Sequence, residues 1–197
     1  IPPGLSSEPY SNVHRRGVDC PHERLFAEPI MKAPVAAIAA SFGYGRVDVA
    51  RTARIAIIGT GDELVGIQDT PLDYQIRASN IHAIRMALEQ NRHHVVRCQL
   101  LADQRDRITD VVKDALDSCD LLLLSGGVSA GKTDFIPSVL QDCGVAKIFH
   151  KIAQKPGKPL WFGQTSAGKT VFGLPGNPVS TLICFYRYVL PYISRMQ

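Results

Sequence analysis

The sequence predicts an α/β domain: a doubly wound, mostly parallel sheet with helices on both faces, preceded by an N-terminal arm. Three observations carry this. The first is the segment 120–137, DLLLLSGGVSAGKTDFIP. Its apolar run is short and continuous, as in a strand buried on both faces. The second is the glycine-rich loop at the end of that run. Ser125, Gly126, Gly127, Ser129 and Gly131 form a loop that lets backbone N–H groups approach a ligand. A helical pattern of Ile136, Val139, Leu140 and Cys143 then stops at Gly144. The third is the repeated alternation of strand-like and helix-like segments from residue 54 onward, which argues βαβ winding. In such sheets ligands lie beyond the carboxyl ends of the strands.

Taken in order, residues 1–53 form the arm. Pro2, Pro3 and Pro9 predict an irregular start. An Ala-rich helix is expected at 35–42 and a short strand at 47–49. The arm has too few large apolar residues for a core of its own. The main domain, 54–197, opens with a strand at 55–58 that empties into Gly59-Thr60-Gly61 and the carboxylates Asp62 and Glu63. A polar loop spans 65–77. Ser79 is the expected cap of a helix with Ile81, Ile84, Ala87 and Leu88 on one face. Residues 94–101 are β-rich. Asp103 is the expected cap of the next helix, with Ile108, Val111, Val112, Ala115, Leu116 and Cys119 at 3–4 spacing. After the 120–125 strand and its helix, 145–153 reads as a strand.

Lys155-Pro156-Gly157-Lys158-Pro159 is then a stiff turn with two cations, suited to an oxyanion. Strands at 160–163 and 169–174 are expected around the turn GQTSAG. Asn177 caps a helix with Pro178 at its first position. Val179, Leu182, Ile183, Tyr186, Val189 and Leu190 are its expected core face, and Ser180 lies in its first turn.

Composition narrows the function. Apolar residues make up 45%, enough for a core, and the net charge of +4 without a basic run argues against nucleic acid. No stretch approaches a membrane span, and the N-terminus lacks the apolar centre of a signal peptide. Five scattered cysteines without a C-x-x-C pair read as reduced packing residues of a cytoplasmic protein. The six histidines show no ligand spacing. Residues 126–133 satisfy the G-x-x-x-x-G-K-[ST] expression, but no acidic partner strand accompanies them. The serine-hydrolase signature G-x-S-x-G does not occur.

Four motifs then carry a resemblance: GTGDELV at 59–65, SGGVSAGKTDF at 125–135, KPGKP at 155–159 and LPGNPVS at 174–180. In this order they resemble the molybdopterin molybdotransferase family, which includes the gephyrin E domain. The likeness covers 54–197 as that family's molybdopterin-binding α/β domain. RRGVD at 15–19 and the Ala-rich stretch resemble more loosely the end of its linker domain, so 1–53 is expected to be a remnant of it. The family's inserted domain over the site and its C-terminal β domain have no counterpart in these residues.

The resemblance implies molybdenum cofactor biosynthesis: insertion of molybdate into adenylylated molybdopterin, with a divalent cation and release of AMP. It implies Asp134 and Glu63 as catalytic residues, and Mg²⁺ on Asp134 and Asp62. Cofactor contacts are implied at Gly61, Asp62, Asn80, Ser125, Gly126, Gly127, Ser129, Gly131, Pro175, Asn177 and Pro178. Lys155, Lys158, Pro159 and Ser180 match positions that hold molybdate. It further implies a homo-oligomer, a dimer before a trimer, and a molybdopterin adenylyltransferase as partner. Two alternatives stand beside it: an adenylyltransferase, and a molybdopterin-binding or partner-docking module without turnover.

Overall fold

The alternation expected from residue 54 is present in the structure, a computed structural model that describes residues 9–11, 13–15, 17–18, 31–128 and 135–196. Ser129, Gly131 and Asp134 lie outside the described residues. The chain divides into two units, Ile1–Ala50 and Arg51–Gln197.

Among the described residues of the first unit, α1 (Ala33–Ser41) starts on Ala33-Pro34 and is capped at its carboxyl end by Phe42. The strand expected at 47–49 does not form, because no strand among the described residues of this unit is there to pair with it.

The second unit contains β1 (Arg54–Thr60), β2 (Leu64–Val65), β3 (Ile76–Arg77), α2 (Ser79–Gln90), β4 (His94–Leu101), α3 (Arg105–Ser118) and β5 (Leu121–Ser125). Next come α4 (Ile136–Asp142), β6 (Val145–His150), β7 (Trp161–Thr165), β8 (Thr170–Leu174) and α5 (Pro178–Cys184). A π-helical turn (Phe185–Val189) and α6 (Leu190–Ile193) continue α5. The main sheet has the order β4-β1-β5-β8-β7-β6. β4, β1, β5 and β8 run parallel, while β7 is antiparallel to both its neighbours.

Strand alternation explains why both faces are covered. Ile55, Ile57, Leu121 and Leu123 pack with the α2 residues Ile81, Ile84 and Leu88, and with Phe185 beyond α5. Ala56, Ile58, Leu122 and Leu124 point the other way, onto Ile108 and Val112 of α3 and Val139 and Leu140 of α4. The four central leucines are fully buried, as a strand with helices on both sides requires.

Several local expectations are corrected. Ser79 is the first helical residue rather than the cap; Ala78 stands at the cap and offers no side-chain acceptor. Gln104, not Asp103, caps α3, also without a side-chain bond. The 65–77 loop is bounded by a two-stranded parallel pair, Leu64↔Ile76 and Val65↔Arg77. β6 ends at His150, and the turn between β7 and β8 is shorter than GQTSAG because Gly163, Gln164 and Thr165 belong to β7.

The largest correction concerns α5. Its buried residues are Ser180, Thr181 and Cys184, continuing through Phe185, Val189 and Ile193. Val179 and Tyr186, expected in the core, are exposed, and so is Ile183. Thr181 and Cys184 spend their polar atoms on Pro175 O and Gly157 O, so these small polar side chains can face inward.

Asp120 organises the amino edge of the sheet. Its carboxylate accepts from Arg54 N at 2.9 Å and from Arg51 Nη1 at 2.5 Å, and lies 3.7 Å from Lys169 Nζ. The Arg51 guanidinium above all, with the Arg54 N–H and guanidinium, holds this carboxyl well below the usual carboxylate range. Its contribution is therefore present above the unfolded carboxylate pKa, about 4, and is lost as pH falls below that value. Asp120→Ala should lower unfolding free energy at pH 7 by about 2 kcal/mol, chiefly the charge-assisted bond to Arg54 N, since the pairing with exposed Arg51 is worth little in water. Urea melts at pH 7 and pH 3 check this: the deficit of the variant should shrink at the lower pH.

Candidate functional site

The carboxyl ends of β1 and β5 and the starts of α2 and α5 meet around a recess. Asn80, in the first turn of α2, ties them. Its Nδ2 donates to Ser125 Oγ at 3.0 Å and to Gly176 O at 2.7 Å. One side chain thus joins the SGG and PGNP motifs, 45 and 96 residues away in sequence. Ser125 is 2% exposed, so its hydroxyl is satisfied by this bond instead of by bulk water.

The glycines allow the backbones to close up. Gly126 has φ +100°, and a Cβ there would lie 2.2 Å from Thr60 O. Its N–H donates to Leu174 O at 3.3 Å, fastening the loop to the end of β8. A ring nitrogen of His150 donates to Val128 O at 2.9 Å and holds the next stretch. Asn177 Oδ1 accepts from Ser180 N at 3.1 Å, the expected cap, with Pro178 at the first helical position.

The other expected residues fall around this centre. Gly61 is buried, and the exposed Glu63 folds back so that a Cβ on Gly61 would meet a Glu63 carboxylate oxygen at 2.7 Å. Asp62 is exposed, and its Oδ1 accepts from Asp103 N at 2.9 Å, turning it toward the β4–α3 connection. Lys155 and Lys158 are exposed on a loop whose Gly157 is buried against α5. Burial pushes the Cys184 thiol up, keeping it a donor to Gly157 O at 3.6 Å. Gln154 Nε2 donates to Pro156 O and Tyr188 OH to Gln154 Oε1, so the π-helical turn braces the same loop.

Asn80, Ser125 and Pro178 line the recess itself; Glu63, Lys155, Lys158 and Ser180 are not in its lining. Asp134, Ser129 and Gly131 lie outside the described residues. Among the described residues no cluster of three His, Cys, Asp or Glu side chains could hold a metal. Mg²⁺ asks for less, one or two carboxylates with substrate phosphates, and the oxygen-only donors Asp62 and Glu63 suit it.

Gly59, Arg77, Ser79 and Gly176 are among the lining residues not expected as site residues, and Gly59 opens the GTGDELV motif. Gly176 stands inside the PGNP motif. Arg77 and Ser79 are signalled only by IRASN directly ahead of a helix.

Known proteins resemble the chain in both sequence and fold. Residues 56–195 match the family described as "Probable molybdopterin binding domain". A protein from Synechocystis named molybdopterin molybdenumtransferase is 41% identical over 186 residues, 93% of this chain and 48% of the relative. One of the same name from Haemophilus influenzae is 35% identical, covering 96% of this chain and 47% of the relative. A crystal structure of a molybdopterin biosynthesis MoeA protein from Pyrococcus horikoshii superposes with a TM-score of 0.74 at 29% identity, over 91% of this chain and 44% of that one. The chain belongs to the probable molybdopterin binding domain family. It spans about half the length of the curated relatives it matches. No helix among the described residues is long and apolar enough to cross a membrane.

Proposed function

We propose that this chain is the molybdopterin-binding domain of a molybdotransferase, with 54–197 as that domain and 1–53 as part of a linker domain. Its reaction inserts molybdate into adenylylated molybdopterin and releases AMP. The observation that carries the reading is the Asn80 bridge, which gathers two of the four family motifs at one set of strand ends. The site has polar donors and backbone amides but little covalent chemistry of its own. That suits phosphoanhydride cleavage, which needs positioning and charge neutralisation.

In this reading Ser125, Gly126, Gly127, Ser129 and Gly131 cradle the phosphates, while Gly61, Asn80, Pro175, Asn177 and Pro178 hold the remaining parts of the cofactor. Asp134, with Asp62, holds Mg²⁺, which would neutralise phosphate charge when bound. Glu63 assists at the same edge. Lys155, Lys158, Pro159 and Ser180 receive molybdate. The loop braced on α5 supports the lysine assignment, since it presents two cations from a fixed backbone. Assembly as a homodimer, hand-over from an adenylyltransferase and a cytoplasmic setting belong to the same proposal; the free Cys98, Cys119, Cys143 and Cys184 suit a reducing compartment.

The test supplies adenylylated molybdopterin, Mg²⁺ and molybdate to the purified chain and monitors AMP. Release is expected to depend on molybdate. Asp134→Ala should reduce it by about 10²-fold or more, in the range seen when a charge-stabilising group is removed. Lys155→Ala should instead raise the molybdate concentration needed. Full activity in Asp134→Ala would remove the metal and catalytic assignment. Formation of the adenylylated product from ATP and molybdopterin would make the chain an adenylyltransferase instead.

A further inference from the structure

We propose that Arg77 is a ligand for the substrate's phosphoryl oxygens, a specificity residue that no motif of this chain identifies. The inference rests on the proposed function and deepens it. Arg77 closes β3, where the register Val65↔Arg77 fixes its backbone, and the N–H of Ala78 donates to Val65 O at 2.9 Å. It stands three residues before Asn80 and lines the same recess as Asn80, Ser125 and Gly176.

The guanidinium is half committed. Its Nε donates to Ile67 O at 3.2 Å, which holds the stem against the 66–75 loop. Its two terminal nitrogens have no partner among the described residues. No carboxylate lies against Arg77, in contrast to Arg51, Arg54, Arg85, Arg97 and Arg105 and as for Arg92, Arg107, Arg187 and Arg195 of the same unit, but of these four none lines the recess. A guanidinium tethered at Nε and open at its fork is set up for two parallel bonds to one phosphate. Pinning the stem in advance lowers the entropy lost on binding. The rest of the lining is neutral, with the hydroxyl of Ser79 beside the apolar Leu64 and Ile76, so Arg77 brings the recess its positive charge. A ligand that combines a phosphate with an uncharged ring system fits that distribution.

The experiment titrates the purified chain with molybdopterin and with molybdopterin dephosphorylated by a phosphatase, using pterin fluorescence as the readout. The unaltered chain should prefer the phosphorylated form by about tenfold or more, one charge-assisted pair being worth that much. Arg77→Met should lose the preference while binding the dephosphorylated pterin as before. Arg77→Lys, which keeps the charge without the fork, should retain part of it and covers the case in which the methionine variant folds poorly. A purely structural Arg77, needed only to tie down the 66–75 loop, would lower the melting temperature and leave the preference intact. That result overturns the inference while the proposed function stands. Failure of the unaltered chain to bind either pterin would overturn both.

Discussion

Gly126→Ala should destabilise the second unit by about 3 kcal/mol and abolish pterin binding with it. Two separate penalties add at this position. The backbone has φ +100°, which an alanine adopts only with strain. The new methyl would also sit 2.2 Å from Thr60 O, a backbone atom on the neighbouring strand that cannot swing aside. β1 and β5 are in register as far as Gly59↔Ser125, so Thr60 and Gly126 are the first residues beyond the shared ladder. The strand ends must part to admit the methyl, and the loop that carries Gly127 moves with them. Gly168→Ala is the control. That glycine has φ +78° in the β7–β8 turn, but nothing lies within 4 Å of an added Cβ. It should cost about 1 kcal/mol, the left-handed conformation alone. Denaturant melts of the two variants separate strain from collision, and equal losses would mean that the strand ends are not in close approach.

The same contrast shows what a sequence can and cannot reveal. A glycine pressed against a neighbouring backbone, as Gly126 is against Thr60 O, leaves a visible mark because a side chain cannot stand there, and the motif at 125–127 was legible for that reason. The long periodic helices were legible too. Ile81, Ile84, Ala87 and Leu88 are the buried residues of α2, as their spacing demands. β2 and β3 were not, since two-residue strands carry no period and exist only through their mutual pairing. Arg77 was hidden with them: in a polar loop an arginine reads as a solvated charge until β3 places it at the recess.

The face of α5 was misread for a different reason. A helix that buries Ser180, Thr181 and Cys184 uses hydrogen bonds to neighbouring loops in place of apolar bulk, and one of those loops, at Gly157, is distant in sequence. Apolar periodicity pointed instead to Val179, Ile183 and Tyr186, which remain exposed. The Asp120 cluster fails the same way. Its partners Arg51, Arg54 and Lys169 come from both sides of it in the chain, and only the sheet brings them together.

Asn80→Ala should weaken molybdopterin binding by more than about tenfold, an effect of at least 1.4 kcal/mol, and lower stability by about 1–2 kcal/mol. The amide makes two bonds with one nitrogen, to Ser125 Oγ at 3.0 Å and Gly176 O at 2.7 Å. Removing it leaves the 2%-exposed hydroxyl of Ser125 without its donor, and frees Gly176 in a segment that otherwise lacks regular structure. The stability loss is bounded, because water can enter and satisfy Gly176 O at the exposed side. The binding loss is not bounded in that way. Two loops held in one arrangement by a side chain must otherwise be ordered by the ligand itself, and that ordering is subtracted from its affinity. Asn80→Asp sharpens the test. It keeps the shape but sets a carboxylate against Gly176 O, so it should bind no better than the alanine variant. Equilibrium unfolding and pterin titration on the same samples give both numbers. If Asn80→Ala bound molybdopterin as tightly as the unaltered chain, the bridge would be a structural tie alone, and the recess around it would not be where the pterin sits.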